Sequence, residues 1–343
     1  MIAKPREYRA TPAISEEHES RCLIFTDGAG PRSLRNPAEI SELLKDASTF
    51  VWFDLAEPTP DDLAMLKEEF SLHPTAVEDA ALVHERPKVE TYDDYLLVVL
   101  HAASLDADGQ LIEHELAVFV GKNFVVTIRA HPVFPLDEIE RRWTERSGVA
   151  YDPVSLLYVI LDVVVDAYHP VTVEYDERLV GIENAVLGER KRTHPRLLLR
   201  RVLLFKRDLI ALKRAVAPVR DILSTLLRSE LTADRSMNAY FRDVADHAAR
   251  VTDQIDSIRD LLNSTLDIHL SSEAHQQGEI AKQLTVIATI FLPLTYITGF
   301  FGQNFGWMVA GIQSPRSFWV IGVGSQVAAA IALVAYFRYK RWT

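Results

Sequence analysis

Cysteine is almost missing from this 343-residue chain, where Cys22 stands alone. A single thiol excludes an internal disulfide and fits a reducing compartment. A basic excess is missing as well. The formal net charge is −11, and nucleic acid is therefore not expected as a partner, because phosphate binding needs a basic face. The first twenty residues hold no apolar run, so neither a signal peptide nor a span is expected there. A glycine-rich phosphate loop is missing, as is a nucleophile beside an obvious base, which leaves ATP-driven pumping and enzymatic catalysis unsupported. Finally, Asp and Glu do not occur between Ala281 and Thr343. Any cation chemistry in that stretch must use neutral oxygens.

What is present is unevenly distributed. Apolar residues make up 48% of the chain and charged residues 25%, as in a soluble protein, yet the apolar ones gather toward one end. An acidic body raises the local concentration of cations, or simply keeps the domain soluble.

Residues 1–150 alternate strand and helix patterns. β-rich runs occur at Cys22–Thr26, Phe50–Asp54, Tyr95–Ala103, Leu116–Val120 and Phe124–Arg129. Asp106-Ala-Asp-Gly109 is a turn signal that joins two of them as antiparallel neighbours. Thr59-Pro60-Asp61-Asp62 sets a capping hydroxyl, a proline at the first helical position and two carboxylates in the first turn, opening a helix to about Phe70. His131-Pro132 closes the last strand and leads to a helix over Leu136–Arg146. This part reads as one α/β domain.

Strand signals stop at Asp152. Residues 151–236 carry amphipathic helix patterns over Tyr151–Leu187 and Arg196–Leu227, joined by a loop around Gly188–Pro195. Pro218 is expected to kink or interrupt the second. A third pattern opens near Met237, with Val244, Val251, Ile255, Ile258, Leu262, Leu266 and Leu270 as its apolar stripe. Continued to Phe301 it would run about 97 Å at 1.5 Å per residue. That length predicts a stalk over 237–283 packed against other helices, from other subunits.

Two uncharged segments follow, Leu284–Phe301 and Ser317–Phe337, each long enough to cross a bilayer core. A buried hairpin is the competing reading, and the flanks argue against it. Arg338-Tyr-Lys-Arg-Trp342 follows the second segment, whereas Arg316 alone marks the connection at 302–316. The positive-inside rule then puts the basic tail, 338–343, in the cytoplasm and the connection outside, and two spans return the N-terminus to the cytoplasm too. Trp307, Trp319, Tyr336 and Trp342 fall at the expected interfaces.

Two spans from one chain cannot enclose a pore, so a channel requires an oligomer, whereas a plain anchor requires none. The connection Thr298-Gly-Phe-Phe-Gly-Gln-Asn-Phe-Gly-Trp307 favours the channel. Its glycines, Gly299, Gly302 and Gly306, allow a tight turn and close backbone approach. Asn304 would present its carboxamide oxygen at the outer mouth, and a ring of such oxygens suits a hydrated divalent ion.

At this point the sequence resembles the CorA-type metal-ion transporters, whose signature is Gly-Met-Asn at the end of the first of two C-terminal spans. Here Phe301-Gly-Gln-Asn304 follows Thr289-Ile-Phe-Leu-Pro-Leu-Thr-Tyr-Ile-Thr-Gly299. Val51-Trp-Phe-Asp-Leu55, Leu72-His-Pro-Thr-Ala-Val-Glu-Asp79, Arg86-Pro-Lys-Val-Glu-Thr-Tyr-Asp-Asp-Tyr95, Tyr240-Phe-Arg-Asp-Val244 and the basic tail recur in that family in the same order. The resemblance covers nearly the whole chain after about residue 20.

The resemblance implies a homopentamer in the cell inner membrane, with a cytoplasmic α/β domain, a long helical stalk and two C-terminal transmembrane helices. Its partners would be its own copies, membrane lipid and divalent cations. It implies no tightly bound cofactor; Mg²⁺ or another divalent cation is both substrate and regulatory ligand. Position by position, Gly302, Gln303 and Asn304 would form the selectivity loop. Ala281, Leu284, Leu292, Thr295 and Gly299 would face the pore, with the two leucines as dewetting constrictions; lipid contact is the alternative for those leucines. Glu78, Asp79 and Asp243 match carboxylates that bind regulatory cations between subunits, and Asp166 or Asp162 would join them or serve only as solvated helix charge. Mg²⁺ uptake, with Co²⁺ or Ni²⁺, is the implied activity, and proton-linked Zn²⁺ movement of the ZntB type is the alternative. A membrane-tethered scaffold that moves nothing is a further one. Gln303 stands where the family has Met, Phe301 where it has Tyr, and Ala281 and Gly278 where many relatives carry pore Met and Asn. His114, within Glu113-His-Glu115, reads as an exposed strand end, with a surface-ion ligand as the alternative, and His84-Glu85 lacks the second His of a zinc motif.

Overall fold

The computed structural model describes residues 20–26, 32–34, 39–81, 86–130, 136–145, 151–187, 195–232, 237–303, 305–311 and 314–340. Its contacts divide the chain into two units, Met1–Asn263 and Ser264–Thr343.

The first unit is built on a seven-stranded sheet. Its strands are β1 (Ser20–Thr26), β2 (Arg32–Ser33), β3 (Thr49–Ala56), β4 (Lys88–Thr91), β5 (Tyr95–Leu105), β6 (Leu111–Gly121) and β7 (Phe124–Arg129), in the order β2-β1-β3-β7-β6-β5-β4. Every pairing is antiparallel except β3 with β7. The five strand runs read from the sequence all lie in strands. β2 and β4 are additions, too short and too polar to carry an alternating signal. The Asp106–Gly109 turn joins β5 to β6 as expected: the Asp106 carboxylate accepts from the amides of Asp108 and Gln110, and Gly109 adopts φ +71°.

Successive strand residues face opposite ways, so the sheet has two apolar faces to cover. Val51, Phe53 and Leu55 pack with Leu66, Phe70, Ala76 and Val77 in one buried cluster. Those partners come from α2 (Pro60–Glu69), from Phe70 at its C-cap and from α3 (Pro74–Ala81), with Ile40 of α1 (Ile40–Leu43) beside them. Thr59 and Asp62 close a reciprocal capping box on α2. On the other face, Trp143 of α4 (Leu136–Thr144) meets the rings of Phe25, Phe50 and Trp52. α5 (Pro153–Asp166), α6 (Tyr168–Leu187) and α7 (Pro195–Leu226) complete that layer. Pro153–Val186, which spans α5 and most of α6, is long and apolar enough to cross a membrane, yet 67% of its apolar window is buried within the fold.

Two expectations need correction here. Tyr151–Leu187 is not one helix but α5 and α6, separated at Ala167. The reason is Pro170, which has no N–H for the carbonyl of Asp166. Of the kink or interruption expected at Pro218, the interruption does not occur, because α7 runs through it. Val219, Ile222 and Leu223 beyond the proline are buried, and that packing outweighs one lost hydrogen bond.

α8 (Asn238–Phe301) has 64 residues and contains Pro293. Its early stripe, Val244, Val251, Ile255, Ile258 and Leu262, is buried in the first unit. The second unit continues with α9 (Gly306–Gly311), α10 (Pro315–Ser317), a π-helical segment Phe318–Val323 and α11 (Gly324–Tyr339). Gly322 and Gly324 lie in and beside that π segment, where a wider turn costs least in side-chain crowding.

Candidate ion path and regulatory carboxylates

The apolar windows of α8 and of Pro315–Tyr339 bury none of their residues inside the chain. Phe291, Tyr296, Trp319, Val320 and Ile331 all stand exposed. Water does not tolerate so much contiguous apolar surface, so lipid or other chains must cover it.

On α8, Ala281, Leu284, Leu292, Thr295 and Gly299 fall within an arc of about 80° at 100° per residue. All five are exposed in the single chain, Leu284 at 63% and Leu292 at 71%. The Thr295 hydroxyl donates to the Phe291 carbonyl at 2.9 Å, which satisfies its proton and leaves the oxygen lone pairs outward. Thr285, Thr289 and Thr298 donate to their own i−4 carbonyls in the same way. The helix closes with the Gly302 amide on the Thr298 carbonyl and the Gln303 amide on the Phe300 carbonyl. Gly302 and Gln303 are exposed just beyond the last turn. Asn304 lies outside the described residues, as do His84, Glu85 and Trp342.

The carboxylates lie in the first unit, in two places. On α3, Asp79 holds Lys88 Nζ at 2.8 Å, while neighbouring Glu78 is exposed. At the end of α5, Asp166 and Asp162 accept from Arg142 at 2.6 Å and 3.1 Å, and Glu138 takes a third edge of the same guanidinium. Burial opposes the Arg142 charge, but the carboxylates outweigh it and its pKa is raised. Burial, then the Asp166 charge, pushes the Asp162 carboxyl up, against the pull of Arg142 and of His247 on α8. Asp243, one turn before His247 and 3.8 Å from its ring nitrogen, is 62% exposed. The fold thus brings Asp162, Asp166 and Asp243 to one neighbourhood and sets Asp79 with Lys88. Among the described residues, no group of three or more His, Cys, Asp or Glu side chains within the chain could hold a metal ion.

Sequence reasoning missed Arg142 as the partner of Asp162 and Asp166; the only signal was an arginine near the end of a helical run. His114 was expected at an exposed strand end and is buried instead, its Nε2 2.8 Å from Ser104 Oγ. It pairs with Ala102 in the β5–β6 ladder, under the α5–α7 layer.

A family model described as "CorA-like Mg2+ transporter protein" matches residues 47–341. The chain belongs to the CorA-like Mg²⁺ transporter family. It is 31% identical over 312 residues to the cobalt/magnesium transport protein CorA of Thermotoga maritima, covering 87% of this chain and 85% of that one. It is 28% identical over 297 residues to the zinc transport protein ZntB of Cronobacter sakazakii, covering 82% and 84%. The complete structure of the CorA magnesium transporter from Methanocaldococcus jannaschii superposes with a TM-score of 0.77 over 94% of this chain and 98% of that one, at 22% identity. The fold is therefore that of full-length CorA, an α/β domain, a long helix and a C-terminal helix. A CorA-family chain is a membrane transporter of divalent cations, not an enzyme.

Proposed function

We propose that this CorA-family chain takes Mg²⁺, and also Co²⁺ or Ni²⁺, into the cytoplasm through a homopentameric pore lined by α8. The observation that carries the reading is the exposed, uncharged arc Ala281–Leu284–Leu292–Thr295–Gly299, which leads to Gly302-Gln303-Asn304. Around a five-fold axis that arc gives hydroxyl and carbonyl oxygens separated by leucine rings. Mg²⁺ sheds its water reluctantly, so neutral oxygens can hold it through its hydration shell. Leu284 and Leu292 close the path by dewetting. At 100 mV the membrane potential alone contributes about 4.6 kcal/mol per divalent ion entering. Residues 1–150 and 151–236 form the cytoplasmic body, 237–283 the stalk, 284–301 and 317–337 the spans, 302–316 the outer loop and 338–343 the basic tail, with both termini cytoplasmic.

Glu78, Asp79 and Asp243 are the regulatory ligands in this reading, bridged by a cation between neighbouring subunits. Among the described residues a single chain does not gather three ligands, which suits a shared site. Asp79 and Asp166 each already hold a basic side chain, Lys88 and Arg142, which a cation would have to displace, whereas Asp243 is largely exposed. A second reading, proton-linked Zn²⁺ movement, is favoured by Gln303 in place of the family's Met and by the likeness to a zinc transport protein.

Flux into proteoliposomes with Mg²⁺, Co²⁺, Ni²⁺ and Zn²⁺ compared, and a pH dye inside, separates the two. Mg²⁺ entry without acidification supports the first reading; Zn²⁺ entry with it supports the second. Asn304→Leu should abolish flux, and unchanged flux would leave the chain a tethered scaffold.

A further inference from the structure

A cleft of about 730 Å³ lies in the first unit, outside the proposed ion path. One wall is α7, where Ile210, Lys213, Arg214 and Ala217 recur at the three- and four-residue spacing of one helix face. Ile255 and Arg259 of α8 face it, and Arg86, just before the edge strand β4, closes a side. His101 and Glu113 form the floor, bonded to each other at 3.2 Å.

In a chain of net charge −11, four guanidinium or ammonium groups line this cleft against a single lining carboxylate, Glu113. Two of the four are partly neutralised. Asp256 holds Lys213 at 2.7 Å and Arg259 at 3.2 Å, and Asp260 takes Arg259 at 3.3 Å. Arg86 and Arg214 are exposed and have no ion-pair partner among the described residues. Ile210, Ala217 and Ile255 make the rest of the surface apolar. The volume falls in the range of small-molecule sites, which combine an apolar lining with a few placed charges.

We propose that this cleft binds an organic polyphosphate, its phosphates on Arg86 and Arg214 and its organic body against Ile210, Ala217 and Ile255. The ligand spans the sheet edge, α7 and the fifth and sixth turns of α8. No glycine loop cradles the phosphates, so binding depends on side-chain charge and weakens with salt. This is an addition to the transport reading and does not depend on it.

The test is calorimetric titration of the full-length protein in detergent micelles with ATP in excess EDTA, beside tripolyphosphate. Without metal, failure here says nothing about transport, so the two readings fail separately. Saturable ATP binding is expected, at least about tenfold tighter than tripolyphosphate, because only ATP meets the apolar wall. Arg86→Glu and Arg214→Glu should each weaken ATP binding about tenfold or more, and Arg220→Glu, on the same helix outside the cleft, should not. If a glutamate variant melts early, Arg86→Gln and Arg214→Gln carry the test, with a smaller loss expected. Absence of saturable ATP binding overturns the proposal, as does wild-type affinity in the arginine variants. Tripolyphosphate binding as tightly as ATP overturns the organic-body half.

Discussion

Arg129 grips Asp54 across the one parallel junction of the sheet, with Nη2 2.6 Å from one carboxylate oxygen and Nε 3.1 Å from both. Asp54 is 2% and Arg129 3% exposed. Thr127, directly opposite Asp54 in the β3–β7 register, donates to the same carboxylate and accepts from Trp52 Nε1. Burial pushes the Asp54 carboxyl up, and Arg129 and Thr127 pull against it. Removing one partner strands the other. Asp54→Ala should therefore cost about 3–5 kcal/mol, seen as a large drop in melting temperature, whereas Asp54→Leu with Arg129→Met should recover most of it. A double variant no more stable than Asp54→Ala would contradict this account.

The Asp162 carboxyl gives a pH signature. Its folded pKa lies above the ordinary 3.8 because of burial and then Asp166. The folded state therefore binds the proton more tightly than the unfolded one. Stability from this group is full below 3.8 and declines as pH rises through the folded value. Asp162→Asn should remove that decline. Melting curves from pH 3 to pH 6 should show wild type losing ground to the variant as pH rises; parallel curves would exclude the effect.

For the regulatory carboxylates, the geometry ranks the candidates. Added Mg²⁺ should protect the wild-type protein from limited proteolysis, and Asp79→Asn or Asp243→Asn should weaken that protection. The loss should be largest for Asp243→Asn, whose carboxylate is exposed, and smaller for Asp166→Asn and Asp79→Asn, whose carboxylates already hold Arg142 and Lys88. Equal protection in all three variants would remove the assignment of Asp79 and Asp243.

At the β5–β6 turn, Gly109 has φ +71°, and a Cβ there would fall 2.0 Å from Arg178 Nη2. The arginine end can move, but the backbone strain remains. Gly109→Ala should cost about 1–2 kcal/mol, and Gly109→Asn less, since Asn tolerates the left-handed region. Thermal melts of the two variants check the order.

How far the sequence could be read differs from place to place. Thr59 with Asp62, and Asp106 with Gly109, were legible because a cap and a turn involve residues a few positions apart. The single-face spacing of Leu284, Leu292 and Thr295 was legible for the same reason. Arg142 with Asp166, and His114 beneath the helical layer, were not, because those pairings span different elements.

The sequence by itself determined the strands of the body, the long helix, the two uncharged apolar segments and the family, through local periodicity and motifs carried in order. Only the tertiary structure decided that α5 is a core helix and not a span, that α7 continues through Pro218, and that Arg142 claims Asp162 and Asp166. The physical reason is range. Backbone propensity and patterning act within a few residues, whereas burial and ion pairing depend on which faces the folded layers bring together.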